Sequence, residues 1–190
     1  IAQIVFRHNS GQINHFLLGN NIINFQGSNA IANFVKNPHK SKIETWYLAG
    51  NAIDEKGMEL LSDAFKTDKD MKYLWLKRNP LMPMGAKYLS EMLKIHQNIE
   101  ILDLCNCGIF DEGMKYLCQG LTENKSLRTL YLDSNNIGVS GVAHLAKYFQ
   151  TRKNIGITSL FLDMNRLYDE GVCLLLDSLK DYPYLEKLNL

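Results

Sequence analysis

The strongest constraint in this sequence is a pattern that returns every 28 to 30 residues. Apolar residues at its first, fourth, sixth and eleventh positions surround an Asn or Cys at the ninth. One copy reads Ile43, Trp46, Leu48, Asn51, Ile53; the next are Met71, Leu74, Leu76, Asn79, Leu81 and Ile99, Leu102, Leu104, Cys107, Ile109. Others are Leu127, Leu130, Leu132, Asn135, Ile137 and, nearer the ends, Ile13, Phe16, Leu18, Asn21, Ile23 and Ile157, Leu160, Leu162, Asn165, Leu167. A shortened copy, Leu185, Leu188, Leu190, brings the number to seven, with first positions at 13, 43, 71, 99, 127, 157 and 185. A single unit of this size cannot bury its own apolar face, so such units fold only by stacking on one another in register.

The second half of each unit has its own signature. Six residues after each Asn or Cys stands a glycine, namely Gly27, Gly57, Gly85, Gly113, Gly141 and Gly171. Ten residues after it come Ile31, Leu61, Leu89, Leu117, Leu145 and Leu175, and fourteen after it Val35, Phe65, Leu93, Leu121, Phe149 and Leu179. An i, i+4 spacing of apolar residues marks one face of a helix, whereas the alternation at positions four and six marks a short strand with those two side chains inward. The Asn sits where the chain leaves the strand, and its amide can both donate to and accept from backbone groups that no ladder satisfies. Cys107 takes that place with a weak thiol donor. The glycine is expected to let the backbone turn tightly or approach its neighbour before the helix winds. Asp54-Glu55, Asp111-Glu112 and Asp169-Glu170 are expected just ahead of three helices, where the positive end of the helix dipole favours them.

The pattern L-x-x-L-x-L-x-x-N/C-x-L resembles the leucine-rich repeat, and the long period is similar to its ribonuclease-inhibitor-like subclass. The resemblance covers nearly the whole chain. It implies an α/β solenoid, or horseshoe, with parallel strands on the concave face and helices on the convex face. The expectation is a single domain over residues 1–190, with about six full repeats and partial repeats at both ends. Projecting the spacing backward places helix-face residues at Ile1, Ile4 and Val5, and the last copy stops at Leu190 within a strand, so the chain is expected to be a piece of a longer array. The extra residues around Lys36–Lys42 and Thr151–Gly156 read as loop extensions.

In that register, strand positions three, five, seven and eight face the open concave side. Position five runs Leu17, Tyr47, Trp75, Asp103, Tyr131, Phe161, Asn189, and position three adds His15, Tyr73, Ile101 and Lys187. Large aromatics facing solvent exceed what solubility selects, and Tyr and Trp are enriched where proteins bind proteins. Charge along this face is divided: Lys72, Lys77 and Arg78 precede Asp103, Asp133 and Asp163. The expected site is therefore a protein-binding surface of Tyr47, Tyr73, Trp75, Lys77, Arg78, Asp103, Tyr131, Asp133, Phe161 and Asp163. A bland alternative is that these rings only shield the inner sheet.

Other chemistry finds little support. The formal net charge of +1 lacks the broad positive field of a nucleic-acid or anionic-membrane binder, and no apolar run is long enough for a membrane span. The five histidines pair with nothing at a metal or hydrolase spacing. Cys105 and Cys107 are expected to point apart, and Asp133-Ser-Asn-Asn-Ile-Gly138 lacks the ligands that complete a calcium loop. Phosphate-binding, esterase and dinucleotide fingerprints are missing. The expectation is thus a protein ligand, with no nucleic acid, membrane, cofactor, metal or small-molecule substrate, and no catalysis. The repeats also resemble those of Ran GTPase-activating proteins and of NOD-like receptors. The first of these implies an alternative, regulation of a small GTPase, with Arg78, Asn106 and Arg166 near the relevant edge. The low cysteine content suits a reducing, intracellular compartment, with a secreted or host-targeted destination left open.

Overall fold

The computed structural model describes residues 13–38 and 42–190. His8, His39 and the expected helix-face residues Ile1, Ile4 and Val5 lie outside the described residues. Among the described residues, seven three-residue strands, β1 (His15–Leu17), β2 (Thr45–Tyr47), β3 (Tyr73–Trp75), β4 (Ile101–Asp103), β5 (Thr129–Tyr131), β6 (Ser159–Phe161) and β7 (Lys187–Asn189), form one open parallel sheet in sequence order. Between them run α1 (Phe25–Val35), α2 (Glu55–Phe65), α3 (Met82–Ile95), α4 (Phe110–Glu123), α5 (Val139–Thr151) and α6 (Tyr168–Leu179). Each strand pairs with the same positions of the next, so Trp46, Leu74, Leu102, Leu130 and Leu160 form one column.

That column and the one at position six, Leu48, Leu76, Leu104, Leu132 and Leu162, are each no more than 1% exposed. They meet the helix-face residues Leu61, Leu89, Leu117 and Leu145 in one continuous core that runs the length of the stack. Parallel strands need a crossover between them, and here a helix supplies each crossover while covering the sheet's inner face. At its first end the core is aromatic: Phe16, Phe34 and Phe65 pack around the buried Trp46, with centroids 5.0 to 6.0 Å apart.

The Asn column binds consecutive repeats together. Asn135 Nδ2 donates to the Leu104 and Leu132 carbonyls, and its Oδ1 accepts the Cys107 and Ile109 N–H groups. Asn51, Asn79 and Asn165 bridge their neighbours in the same manner. At Cys107 the thiol donates to the Leu76 carbonyl at 3.3 Å but offers no equivalent acceptor, and the Leu81 N–H turns to the Asn79 carbonyl instead.

Two local expectations need revision. The periodic glycines sit inside the first turns of their helices rather than ahead of them, and at Gly57, Gly113 and Gly141 close approach to the preceding repeat is the role that holds: a Cβ on Gly113 would stand 2.8 Å from Ile109 Cγ2 and 3.1 Å from Ala86 Cβ. Of the acidic pairs, Asp54 caps α2 by accepting the Gly57 N–H, but Asp111-Glu112 and Asp169-Glu170 lie within the first turns of α4 and α6. Asp111 Oδ1 accepts the Gly138 N–H of the following repeat, so it ties two units together. The loop extension after α5 is similarly anchored, because the Arg152 guanidinium donates to the carbonyls of Leu121, Thr122 and Asn124.

Candidate functional site

Alternation along each short strand sends position five away from the buried leucines, and the parallel register stacks those residues into a ladder. Tyr47, Trp75, Tyr131 and Phe161 are all half-buried on that face. Their ring centroids lie 6.1 Å (Tyr47 to Trp75), 5.9 Å (Trp75 to Tyr131) and 4.3 Å (Tyr131 to Phe161) apart, the last pair stacked. Lysines cover both ends: Lys77 Nζ stands 5.9 Å from the Tyr47 centroid and Lys187 Nζ 5.1 Å from that of Phe161. Tyr73 lies beside the ladder, half-buried on β3.

Trp75 and Tyr131 are two strands apart, yet their rings meet. They close over the intervening Asp103, which is only 3% exposed. Asp103 therefore departs from the exposed position expected of it. Its Oδ1 accepts the Cys105 N–H, and the Cys105 thiol in turn donates to Asp133 Oδ2 at 3.2 Å. Asp133 Oδ1 accepts the Asp163 N–H, so that carboxylate is a bridge as much as a surface charge. Asp163 is exposed, with one oxygen on the Met164 N–H.

The electrostatics follow from this packing. Burial pushes the Cys105 thiol well above its ordinary value, and the facing Asp103 and Asp133 push it further. Burial raises the Tyr131 hydroxyl too, helped by Asp103, Cys105 and Asp133. Cys107 and Cys118 are held up at about 12 by burial, so neither is a thiolate at neutral pH. Cys105 and Cys107 engage different partners, which is not the convergence a shared ion requires.

The edge at which the strands end carries a feature with no counterpart in the sequence expectations. The residue before each Asn or Cys (Asn20, Gly50, Arg78, Asn106, Ser134, Met164) has φ between 52° and 65°, the left-handed region. Three residues after the Asn or Cys, the repeats divide. Asn24, Asp54 and Gly138 are extended and precede their helices, and the side-chain oxygens of the first two accept N–H groups at the helix N-terminus. Met82, Phe110 and Tyr168 at the equivalent place have φ of 57°, 55° and 51°, and their helices begin with no capping side chain. A bulky residue held there costs roughly 1–2 kcal/mol, and a missing cap costs about 1 kcal/mol more. All three are exposed. The signal was present in the sequence as Met, Phe and Tyr standing where other copies carry Asn, Asp and Gly. Arg78, Asn106 and Arg166 are exposed on this edge, and the Arg78 guanidinium reaches Asn20 Oδ1 at 3.4 Å.

Among the described residues no helix is long and apolar enough to cross a membrane. No curated protein matches the chain. A family model described as a leucine-rich repeat matches residues 39–62, 96–118 and 123–146. These segments carry the strand, Asn or Cys turn and helix start of three copies, set among seven strands paired in one parallel sheet, and the fold is accordingly an α/β leucine-rich-repeat solenoid.

Proposed function

We propose that the chain recognises a protein partner through the outward face of its sheet, by docking on a rigid surface without catalysis. Leucine-rich repeats serve protein–protein interaction in general, and the finer reading here concerns which residues make the contact. The observation that carries it is the ladder of Tyr47, Trp75, Tyr131 and Phe161, spanning about 19 Å at ordinary strand spacing. Rings in mutual contact are already ordered, so a partner that lands on them gives up little conformational freedom of theirs. Lys77 and Arg78 at one end and Asp133 and Asp163 at the other would orient the partner. Asp103, covered by Trp75 and Tyr131, supports the platform rather than touching the ligand. The 28-residue period with a helix in every repeat is the ground for placing the chain near the ribonuclease-inhibitor-like subclass.

The test replaces Trp75 and Tyr131 with alanine together. Both rings are half-buried on the outer side of the sheet and outside the helix-covered core, so the fold should persist with a stability loss of about 1–3 kcal/mol, seen as an unchanged far-UV spectrum and a lower urea midpoint. Affinity capture followed by mass spectrometry should lose the proteins retained by the unaltered chain. Equal retention by the double variant would exclude the aromatic ladder as the contact.

A further inference from the structure

We infer that the opposite edge, where helices end and strands begin, carries a second docking site: a cationic groove across the turns leading into β3, β4 and β5 that takes an acidic polypeptide segment with two separated carboxylates. The aromatic ladder has no part in it, so the two readings are independent.

The groove encloses about 570 Å³. Two repeat positions border it, Lys69, Gln97 and Lys125 at one, and Lys72, Glu100 and Arg128, each just before its strand, at the other. Backbone bonds hold these turns in register: the Glu100 N–H donates to the Lys72 carbonyl at 2.8 Å and the Arg128 N–H to the Glu100 carbonyl at 2.9 Å. Neutral side chains serve the same end. Asn98 Nδ2 donates to the Lys69 carbonyl at 2.7 Å, and Gln97 Oε1 accepts the Lys125 N–H at 2.9 Å.

The cations are not used up in this way. Lysines near helix C-termini suit the helix dipole, but the carbonyls there already have donors. Asn124 Nδ2 serves those of Leu93 and His96, and the Arg152 guanidinium those of Leu121, Thr122 and Asn124. Lys69 and Lys125 are exposed, and among the described residues their ammonium groups form no ion pair. Arg128 is fixed by Nη1 on the Lys125 and Leu127 carbonyls at 2.9 and 3.0 Å, which leaves Nη2 for a ligand. Lys72 shares its charge with Glu44 at 3.4 Å, and Asp70 borders the adjoining cavity with Lys36 and Lys42. The residues that form the groove thus carry four cations against one carboxylate, Glu100.

The placement of charge decides the occupant. Lys72 and Arg128 precede strands two apart, so their backbones stand about 10 Å from each other with Glu100 between them. A single phosphate drawing them together would sit against Glu100. No aromatic side chain borders the groove, so a nucleic acid finds nothing to stack on, and no apolar side chain borders it to seat an apolar anchor. In an extended segment, residues two to four positions apart are separated by roughly 7–14 Å. One carboxylate can then reach Lys69 and Lys72 and another Lys125 and the Arg128 fork, while the backbone between them passes Glu100.

The probe is a fluorescein-labelled peptide with two Glu three positions apart in a Gly-Ser background, titrated by anisotropy against the purified chain. It should bind, and binding should weaken about tenfold between about 50 and about 500 mM NaCl. Lys69→Gln/Lys125→Gln removes no bond of the fold and should weaken it about fivefold or more, whereas Glu100→Gln should strengthen it about twofold. Lys115→Gln/Lys147→Gln, the same charge change at exposed positions of α4 and α5, should leave affinity within about twofold. No binding, equal binding of the peptide with Lys in place of Glu, equal loss in the Lys115/Lys147 variant, or weaker binding to Glu100→Gln would overturn the inference. Tighter binding of inorganic phosphate or of an oligothymidylate would also overturn it, in favour of another anion. Trp75→Ala/Tyr131→Ala should bind the peptide unchanged even where it loses captured proteins; loss of the peptide there would move it to the ladder and exclude the groove.

Discussion

His96 illustrates how much one buried side chain can contribute to a turn. It follows α3, is 2% exposed, and its Nδ1 accepts the N–H groups of Asn98 and Ile99 at 3.4 and 3.2 Å. Only the neutral ring can accept in this way. Burial pushes the imidazole below its ordinary value, with Asp68 opposing. The unfolded chain therefore takes up the proton first, so stability should fall as pH drops below about 6.5 and go on falling until the depressed folded value is reached. Urea midpoints at neutral and mildly acidic pH should show that slope, and His96→Gln should flatten it; an equal slope in the variant would assign the effect elsewhere. In the sequence His96 is one of several scattered histidines, because periodicity says nothing about which turn encloses a ring. Asp103 is the parallel case. Its place in an outward column was legible, but its burial depends on two neighbours large enough to close over it.

Between repeats, the Asn column and the helix contacts set the cohesion of the stack. Asn135 is wholly buried and bonds backbone groups of two repeats, so Asn135→Ala leaves buried donors and acceptors unpaired and should cost about 3 kcal/mol in equilibrium urea unfolding. A loss well under 1 kcal/mol would mean that the backbone finds other partners, as Leu81 does opposite Cys107. Gly120 acts by shape instead. It faces α3 from α4, where a Cβ would stand 2.6 Å from the Ser90 carbonyl oxygen and 2.9 Å from its Cα. Gly120→Ala should therefore destabilise by roughly 1–3 kcal/mol although alanine is the better helix former, and a raised melting temperature would contradict this. The Asn column could be read directly from the spacing. Gly120 could not, since the equivalent places hold Phe34, Ala64, Met92, Tyr148 and Ser178, and only the helix packing shows why this copy needs no side chain.

Each helix packs on the next helix and each strand pairs with the next strand along the chain. Stability in such a stack is the sum of unit and nearest-neighbour terms, so opening should begin where a unit has only one neighbour. Amide hydrogen exchange of this 190-residue chain should accordingly show the greatest protection in β4, α4 and β5 and a graded decline toward β1 and β7; uniform protection would point to longer-range coupling. The sequence by itself determined the number of units, the strand and helix in each, the parallel register and the outward set Tyr47, Trp75, Tyr131 and Phe161, because side-chain alternation and a fixed period leave one way to bury the leucines. Tertiary structure decided what those residues do to one another: Trp75 and Tyr131 roof over Asp103, and Asp133 is drawn into a bridge with Cys105 and the Asp163 backbone. These outcomes depend on contacts between residues of different repeats, and a repeat pattern reports which positions are equivalent without reporting how unlike side chains at those positions will pack.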